Sequence, residues 1–270
     1  MQTALLQALA AGLGFTYVER LLTRGPAGSY LESLFKSNKT LPASQIRPAV
    51  HQAATNIVGM LHVLVVVPLA IVTLTDPRMI KDRLYSTSPT STTMLAIASG
   101  YFVHDLVVCT KQLSTWGPAY LLHALFCSLL YCYGLLSGVL HYYGAMFLLW
   151  ELSTPFVYTR WFLHKAGLSR TTAYKVNGVL MVVVFFLCRN VAGLVCSIDF
   201  FRETEPELRH PSSRGLSPAA IWLYRILNFP LNTLNAFWFY KMLTGAMKVL
   251  RAPSHVVTSE AQAVDDRKMQ

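Results

Sequence analysis

Charge is what this chain lacks. Only 13% of its 270 residues are Asp, Glu, Lys or Arg, about half the share of a soluble domain. So few charges cannot cover a water-facing surface, which excludes a soluble globular protein. Paired cysteine motifs are missing as well. Cys109, Cys127, Cys132, Cys188 and Cys196 all fall inside apolar runs and none forms a CxxC pair. Neither a disulfide framework nor a zinc site is legible, and no metal or other cofactor is expected. The cysteines read as small buried hydrophobes. The basic residues, which set a formal net charge of +10, form no patch interleaved with aromatics, so no nucleic acid is expected as a partner. Internal repeats are absent. The N-terminus also lacks the basic n-region of a secretory signal, so its first apolar segment is expected to be a retained helix.

What the chain does have is long apolar runs. Hydrophobic residues make up 53% of it, with mean hydropathy +0.41, and residues 61–74 and 174–198 are almost uninterrupted. About 20 apolar residues span the roughly 30 Å of a bilayer's hydrocarbon. The expectation is an all-α, polytopic transmembrane bundle of about seven spans, near 3–19, 50–74, 93–110, 119–139, 142–163, 176–198 and 217–247. The segment 118–163 is too long for one crossing and divides where His141, Tyr142, Tyr143 and Gly144 suit an interface. An N-terminal helix and basic loop (1–40) would precede the main transmembrane domain (41–250) and a polar tail (251–270). The loop 199–216 is polar and expected to be mobile. With the N-terminus outside, the cytosolic segments hold fifteen Lys and Arg against six opposite, leaving Arg189 and Arg225 inside spans. That bias predicts a lumenal N-terminus and a cytosolic C-terminus. Lys268, third from the end, weakly resembles a retrieval signal of the endoplasmic reticulum.

Against this background the polar residues inside spans stand out, since each ionisable group in hydrocarbon costs about 2.5–3.5 kcal/mol and needs a partner or a task. His51 and His62, eleven residues apart, share a helix face but sit about 16 Å apart, too far to hold one metal. They are either hydrogen-bonded to neighbouring helices or part of a polar line along a cavity. His104 and Asp105 are adjacent and point about 100° apart, so each must find its partner on another helix. His123, Cys127 and Tyr131 follow at i, i+4 and i+8, with Ala124 and Ser128 forming a small-residue groove beside them. In ELSTPFVYTRWFLHKAG (residues 151–167), Pro155 is expected to free the carbonyl of Glu151 and kink the helix. Arg160 is either a membrane-edge anchor or a cavity residue. Glu151, with no interface nearby, needs a proton or a cation, and Arg189 or Arg225 can supply the cation. Arg225, Asn228, Asn232 and Asn235 fall within an arc of about 80°. They are either interhelical glue or the wall of a polar pocket, because such a stripe cannot face lipid.

Several stretches resemble the TLC-domain family, which includes ceramide synthases and TRAM proteins. The resemblance runs over about 41–250 and is carried by IRPAVHQA (46–53), GYFVHDLV (100–107), YLLHALF (120–126), ELSTPFVYTRWFL (151–163) and LNAFWFYKML (234–243). The ELSTPF motif followed by RW is closest to the TLC-domain-containing lipid-homeostasis subgroup. A six-helix core preceded by an N-terminal helix is the fold it implies, in an endomembrane such as the endoplasmic reticulum. Where family members have a double histidine, this chain reads His123-Ala124. Where ceramide synthases carry paired His-Asp, it reads Glu151-Leu152.

The resemblance therefore implies a lipid-homeostasis protein whose bundle binds a lipid or acyl chain, with His51, His104, Glu151, Arg160, Arg225, Asn228, Asn232 and Asn235 around the cavity. The alternative is an N-acyltransferase of the ceramide synthase type, joining acyl-CoA as co-substrate to a sphingoid base. In it His123 would act as general base and Asp105 would orient it. A proton-coupled transporter using Glu151, Asp105 and the histidines as a relay is a third reading, disfavoured by the lack of an inverted repeat.

Overall fold

A computed structural model describes residues 2–37 and 41–251, and among these every regular element is helical. The polar tail and Lys268 lie outside the described residues. Helix α1 (Gln2–Arg24) leads through α2 (Pro26–Ser37) into the long α3 (Ala43–Thr75). Short α4 (Pro77–Lys81) precedes α5 (Pro89–Lys111). Next come α6 (Leu113–Trp116), α7 (Pro118–Ser137) and α8 (His141–Leu148). A 3-10 turn over Leu149–Ser153 separates α8 from α9 (Thr154–Lys165). Beyond them, α10 (Thr172–Phe185) passes through a π turn over Phe186–Val191 into α11 (Ala192–Arg209). The last element is α12 (Pro218–Arg251).

Caps and left-handed residues set the boundaries. Asp76 accepts the Arg78 N–H at 3.0 Å to start α4. Hydrogen bonds from the Arg78 side chain and backbone hold the Asp76 carboxyl below the usual carboxylate range. Ser88 and Ser91 form a reciprocal capping box at 3.0 and 2.8 Å, satisfying two of α5's orphan donors. α7 stops at Gly138, whose φ of 66° suits a residue without Cβ. Leu140 also adopts a left-handed φ of 62°. Its N–H bonds to Leu84 O at 2.7 Å, and Ser91 Oγ lies 2.8 Å from His141 Nδ1, so the start of α8 is pinned against the start of α5.

Among the described residues, four segments are long and apolar enough to cross a membrane: Ala43–Thr75, Pro89–Lys111, Pro118–Ser137 and Thr172–Arg209. The remaining expected spans correspond to α1, to the α8–α9 run and to α12. Glu19 and Arg20 dilute the apolar character of α1, and Arg225 with three asparagines does so for α12. α8 and α9, with 8 and 12 residues, are each short by themselves. The first apolar segment is nonetheless built into the bundle. A Cβ on Gly100 of α5 would stand 2.4 Å from Ala8 O, and one on Gly12 would stand 3.0 Å from Gly100 O. α1 and α5 therefore cross backbone to backbone at small residues, as packed membrane helices do.

One expectation fails. Residues 199–209 are helical rather than loop, because α11 continues to Arg209. Its polar end is fastened from other elements. Asp199 takes Arg83 Nη1 at 2.9 Å and the Tyr143 hydroxyl at 2.9 Å, and Glu205 takes Arg225 Nη1 at 3.1 Å. Only residues 210–217 remain as a connection, held to the 82–88 loop by Arg214 on Asp82 and by Tyr85 on Ser212 at 2.9 Å.

Candidate functional site

The ELSTPF stretch breaks its helix, though not as the proline alone would dictate. Pro155 is near the start of α9, where its missing N–H leaves no bond unmade. The carbonyl of Glu151 is not freed. It accepts the Thr154 N–H within the 3-10 turn. What the break achieves is side-chain placement. The Thr154 hydroxyl donates to Glu151 Oε2 at 2.7 Å, and the Ser153 hydroxyl donates to Trp150 O at 2.9 Å.

Facing this turn is Arg189, in the π turn between α10 and α11. π turns are rare and recur at functional positions. Arg189 donates from Nε to Ser153 Oγ at 2.9 Å and from Nη2 to Glu151 Oε1 at 3.2 Å and Thr154 Oγ1 at 3.2 Å. Its Nη1 is 3.5 Å from Asn235 Oδ1, and its guanidinium lies over the Phe185 ring at 5.1 Å. Glu151 thus has a cation, and the cation is Arg189. Two irregular turns on different helices project a mutually neutralised pair into the bundle.

Glu151 and His123 stand at one end of a narrow crevice with about 60 Å³ of room. From there it runs between α7 and α8 toward Leu140, Tyr143 and Phe200. The distance along α7 from His123 to Gly134 is roughly 16 Å at the helical rise. The tyrosines on its wall spend their hydroxyls within the protein: Tyr131 donates to Gly144 O at 3.0 Å, Tyr224 to Leu130 O at 2.6 Å and Tyr143 to Asp199 Oδ2 at 2.9 Å. Apart from Cys127 and Asn228 the remaining surface is aliphatic and aromatic. One end is polar and the rest is greasy.

The polar residues picked from the sequence do not all surround this space. His123, Glu151 and Asn228 border it, while Asn235 lies behind Glu151 on its partner Arg189. Asp105 accepts from the Cys109 thiol at 3.8 Å and, among the described residues, makes no hydrogen bond or ion pair with His123. The ring of His123 lies near Cys127 Sγ at 3.8 Å and against Trp238 at 5.4 Å. His104 turns to α1, 3.1 Å from Thr16 Oγ1 and 3.8 Å from Glu19. His51 is exposed. His62 is fully buried and stacked on Tyr101 at 3.8 Å. Arg160 is buried under Tyr174, 4.1 Å from the ring centroid, rather than snorkelling.

The stripe on α12 does both things: it bonds to α11, and Arg225, Asn228 and Asn232 line a groove beside it. Arg225 bonds Phe201 O at 2.6 Å and Thr204 Oγ1 at 2.9 Å, while Asn232 bonds Ser197 at 3.1 Å and Asn228 at 2.8 Å. Arg189, Ser153 and Thr154 complete the site around Glu151. The sequence signals only the first, as a lone arginine inside an apolar run.

The TLC domain model matches residues 52–244. Similar proteins include TLC domain-containing protein 4 of Homo sapiens, 32% identical over 188 residues, 67% of each chain. TLC domain-containing protein 4 of Xenopus tropicalis is 34% identical over 162 residues, 58% of this chain and 60% of its own. An uncharacterized TLC domain-containing protein of Schizosaccharomyces pombe is 28% identical over 189 residues, 70% and 63% respectively. The shared region thus spans about three fifths of the yeast and frog proteins.

Proposed function

The chain belongs to the TLC-domain family, and on that premise we propose that it is a lipid-homeostasis protein that holds an acyl chain in the crevice below Glu151 and so influences membrane lipid composition. The observation that supports this most directly is the asymmetry of the crevice. A buried Glu151–Arg189 pair sits at its head, and below it the walls are apolar but for Asn228, with the tyrosine hydroxyls already bonded. A fixed dipole of this kind suits the ester or amide region of a lipid, while the walls suit hydrocarbon. The crevice is narrow, so its walls part to admit a chain. The charge bias and the family support residence in the endoplasmic reticulum or another endomembrane, with the N-terminus lumenal and the C-terminus cytosolic.

Native mass spectrometry of the purified protein tests the reading. The wild type should carry lipid through detergent exchange, and Gly144→Leu, which plugs the crevice where a Cβ already lies 3.2 Å from Leu95 Cδ2, should lose it. Equal lipid retention by a folded Gly144→Leu protein would refute the assignment. Lipidomics of deleted cells should show altered phospholipid acyl chains with ceramide intact.

His123 on the crevice wall favours one second reading, N-acyl transfer from acyl-CoA to a sphingoid base. The amine nitrogen would attack the thioester carbonyl, His123 would take the amine proton, and the CoA thiolate would leave. Amide formed from these substrates and abolished by His123→Ala would establish it. Among the described residues no hydrogen bond joins Asp105 to His123, which leaves such a base without its expected positioning group.

A further inference from the structure

We propose that the groove between α11 and α12 binds a glycerophospholipid of the surrounding bilayer and is the entry to the inner crevice. The groove has a volume of about 500 Å³. Leu194, Ile198 and Phe229 on its rim are 53%, 52% and 66% exposed, a surface that only lipid chains cover in a membrane. From Leu194 to Glu205 it runs roughly 16 Å along α11, about half the hydrocarbon thickness. That is the depth of a single leaflet.

Two polar features specify the occupant. Arg202, at the end of the groove where α11 turns polar, is exposed and has no ion pair among the described residues. Neighbouring Arg225 is already matched by Glu205 at 3.1 Å, so Arg202 is the cation left for a phosphate. Deeper in, Asn228 is only 8% exposed. Its Oδ1 accepts from Asn232, while its amide nitrogen has no partner among the described residues. A donor of that kind takes an acceptor, and a glycerophospholipid's ester carbonyl, only a few bonds from its phosphate, supplies it. Asn228 is about one helical turn from Arg225, which bonds Phe201 O beside Arg202. Asn228 also borders the inner crevice, so this side chain is shared by the two spaces. Occupancy of the groove stands alone, whereas passage inward rests on the crevice reading above.

The test uses the full chain in phosphatidylcholine vesicles doped with phosphatidylcholine bearing a diazirine in one acyl chain, followed by illumination and peptide mapping. Labelling is normalised to that of Leu64 on α3, an outward-facing residue 69% exposed. Wild type should label the groove peptides above this reference and also the crevice peptides carrying Tyr131 and Phe147. Arg202→Gln removes a charge-assisted contact and should lower groove labelling about tenfold. Ile198→Trp, which fills the groove from an exposed position, should lower groove and crevice labelling together. Unchanged groove labelling in both variants overturns the proposal. Loss of groove labelling in Ile198→Trp with crevice labelling intact overturns the entry route. Groove labelling in wild type without any crevice labelling leaves the groove as a lipid site but overturns passage inward and the crevice reading on which it rests.

Discussion

Arg189 and Glu151 meet 3.2 Å apart across 38 residues of sequence, each presented by an irregular turn. Their side chains are only 8% and 12% exposed. Taking away one partner leaves the other as an uncompensated charge. Arg189→Met should therefore destabilise the protein by about 3–5 kcal/mol. The double variant Arg189→Met/Glu151→Gln should recover part of that loss, because no lone charge remains. Denaturation in mixed micelles across the four-variant cycle measures the coupling, and strict additivity would show that the pair is not energetically joined.

The crossing of α1 and α5 depends on Gly100. A methyl group there would collide with Ala8 O, so Gly100→Ala should cost about 1–3 kcal/mol and expose α1 to limited proteolysis. Gly14, on α1, has nothing within 4 Å of its Cβ position. Gly14→Ala should be neutral or stabilising by up to about 1 kcal/mol. Thermal unfolding of both variants checks the contrast.

Asp199 joins two different kinds of bond at the far end of the crevice. Tyr143 is 1% exposed and donates to Asp199 Oδ2, so Tyr143→Phe should cost about 1–2 kcal/mol at any salt concentration. Arg83 and Asp199 are 31% and 37% exposed in their side chains, and Arg83→Ala should cost less than about 1 kcal/mol. Raising ionic strength should shrink the Arg83 effect while leaving that of Tyr143 in place. Denaturation midpoints at low and high salt separate the two.

Much of the architecture is legible in the residues. The apolar runs at 50–74 and 93–110 appear as α3 and α5, and Pro155 marks a true break. The continuation of α11 through residues 199–209 is not legible, because the polar DFFRETEPELR pattern reads as loop while its stabilisers, Arg83 and Arg225, belong to other elements. The π turn that aims Arg189 has no sequence signature. The sequence groups His104 with the cavity because its neighbours in the fold, Thr16 and Glu19, come from a helix 88 and 85 residues away whose docking depends on two glycines. Spacing along one helix finds shared faces. It does not find which helix lies opposite, and that is what divides the polar residues between glue and crevice.

The most direct test is a density map of the protein in a lipid nanodisc. If an acyl chain belongs in the crevice, continuous density should extend from beside Glu151 and Arg189 past Tyr131 to Leu140 and Tyr143. A map in which that path is closed by touching side chains, with ordered lipid only on the outer faces of α3 and α10, would contradict it.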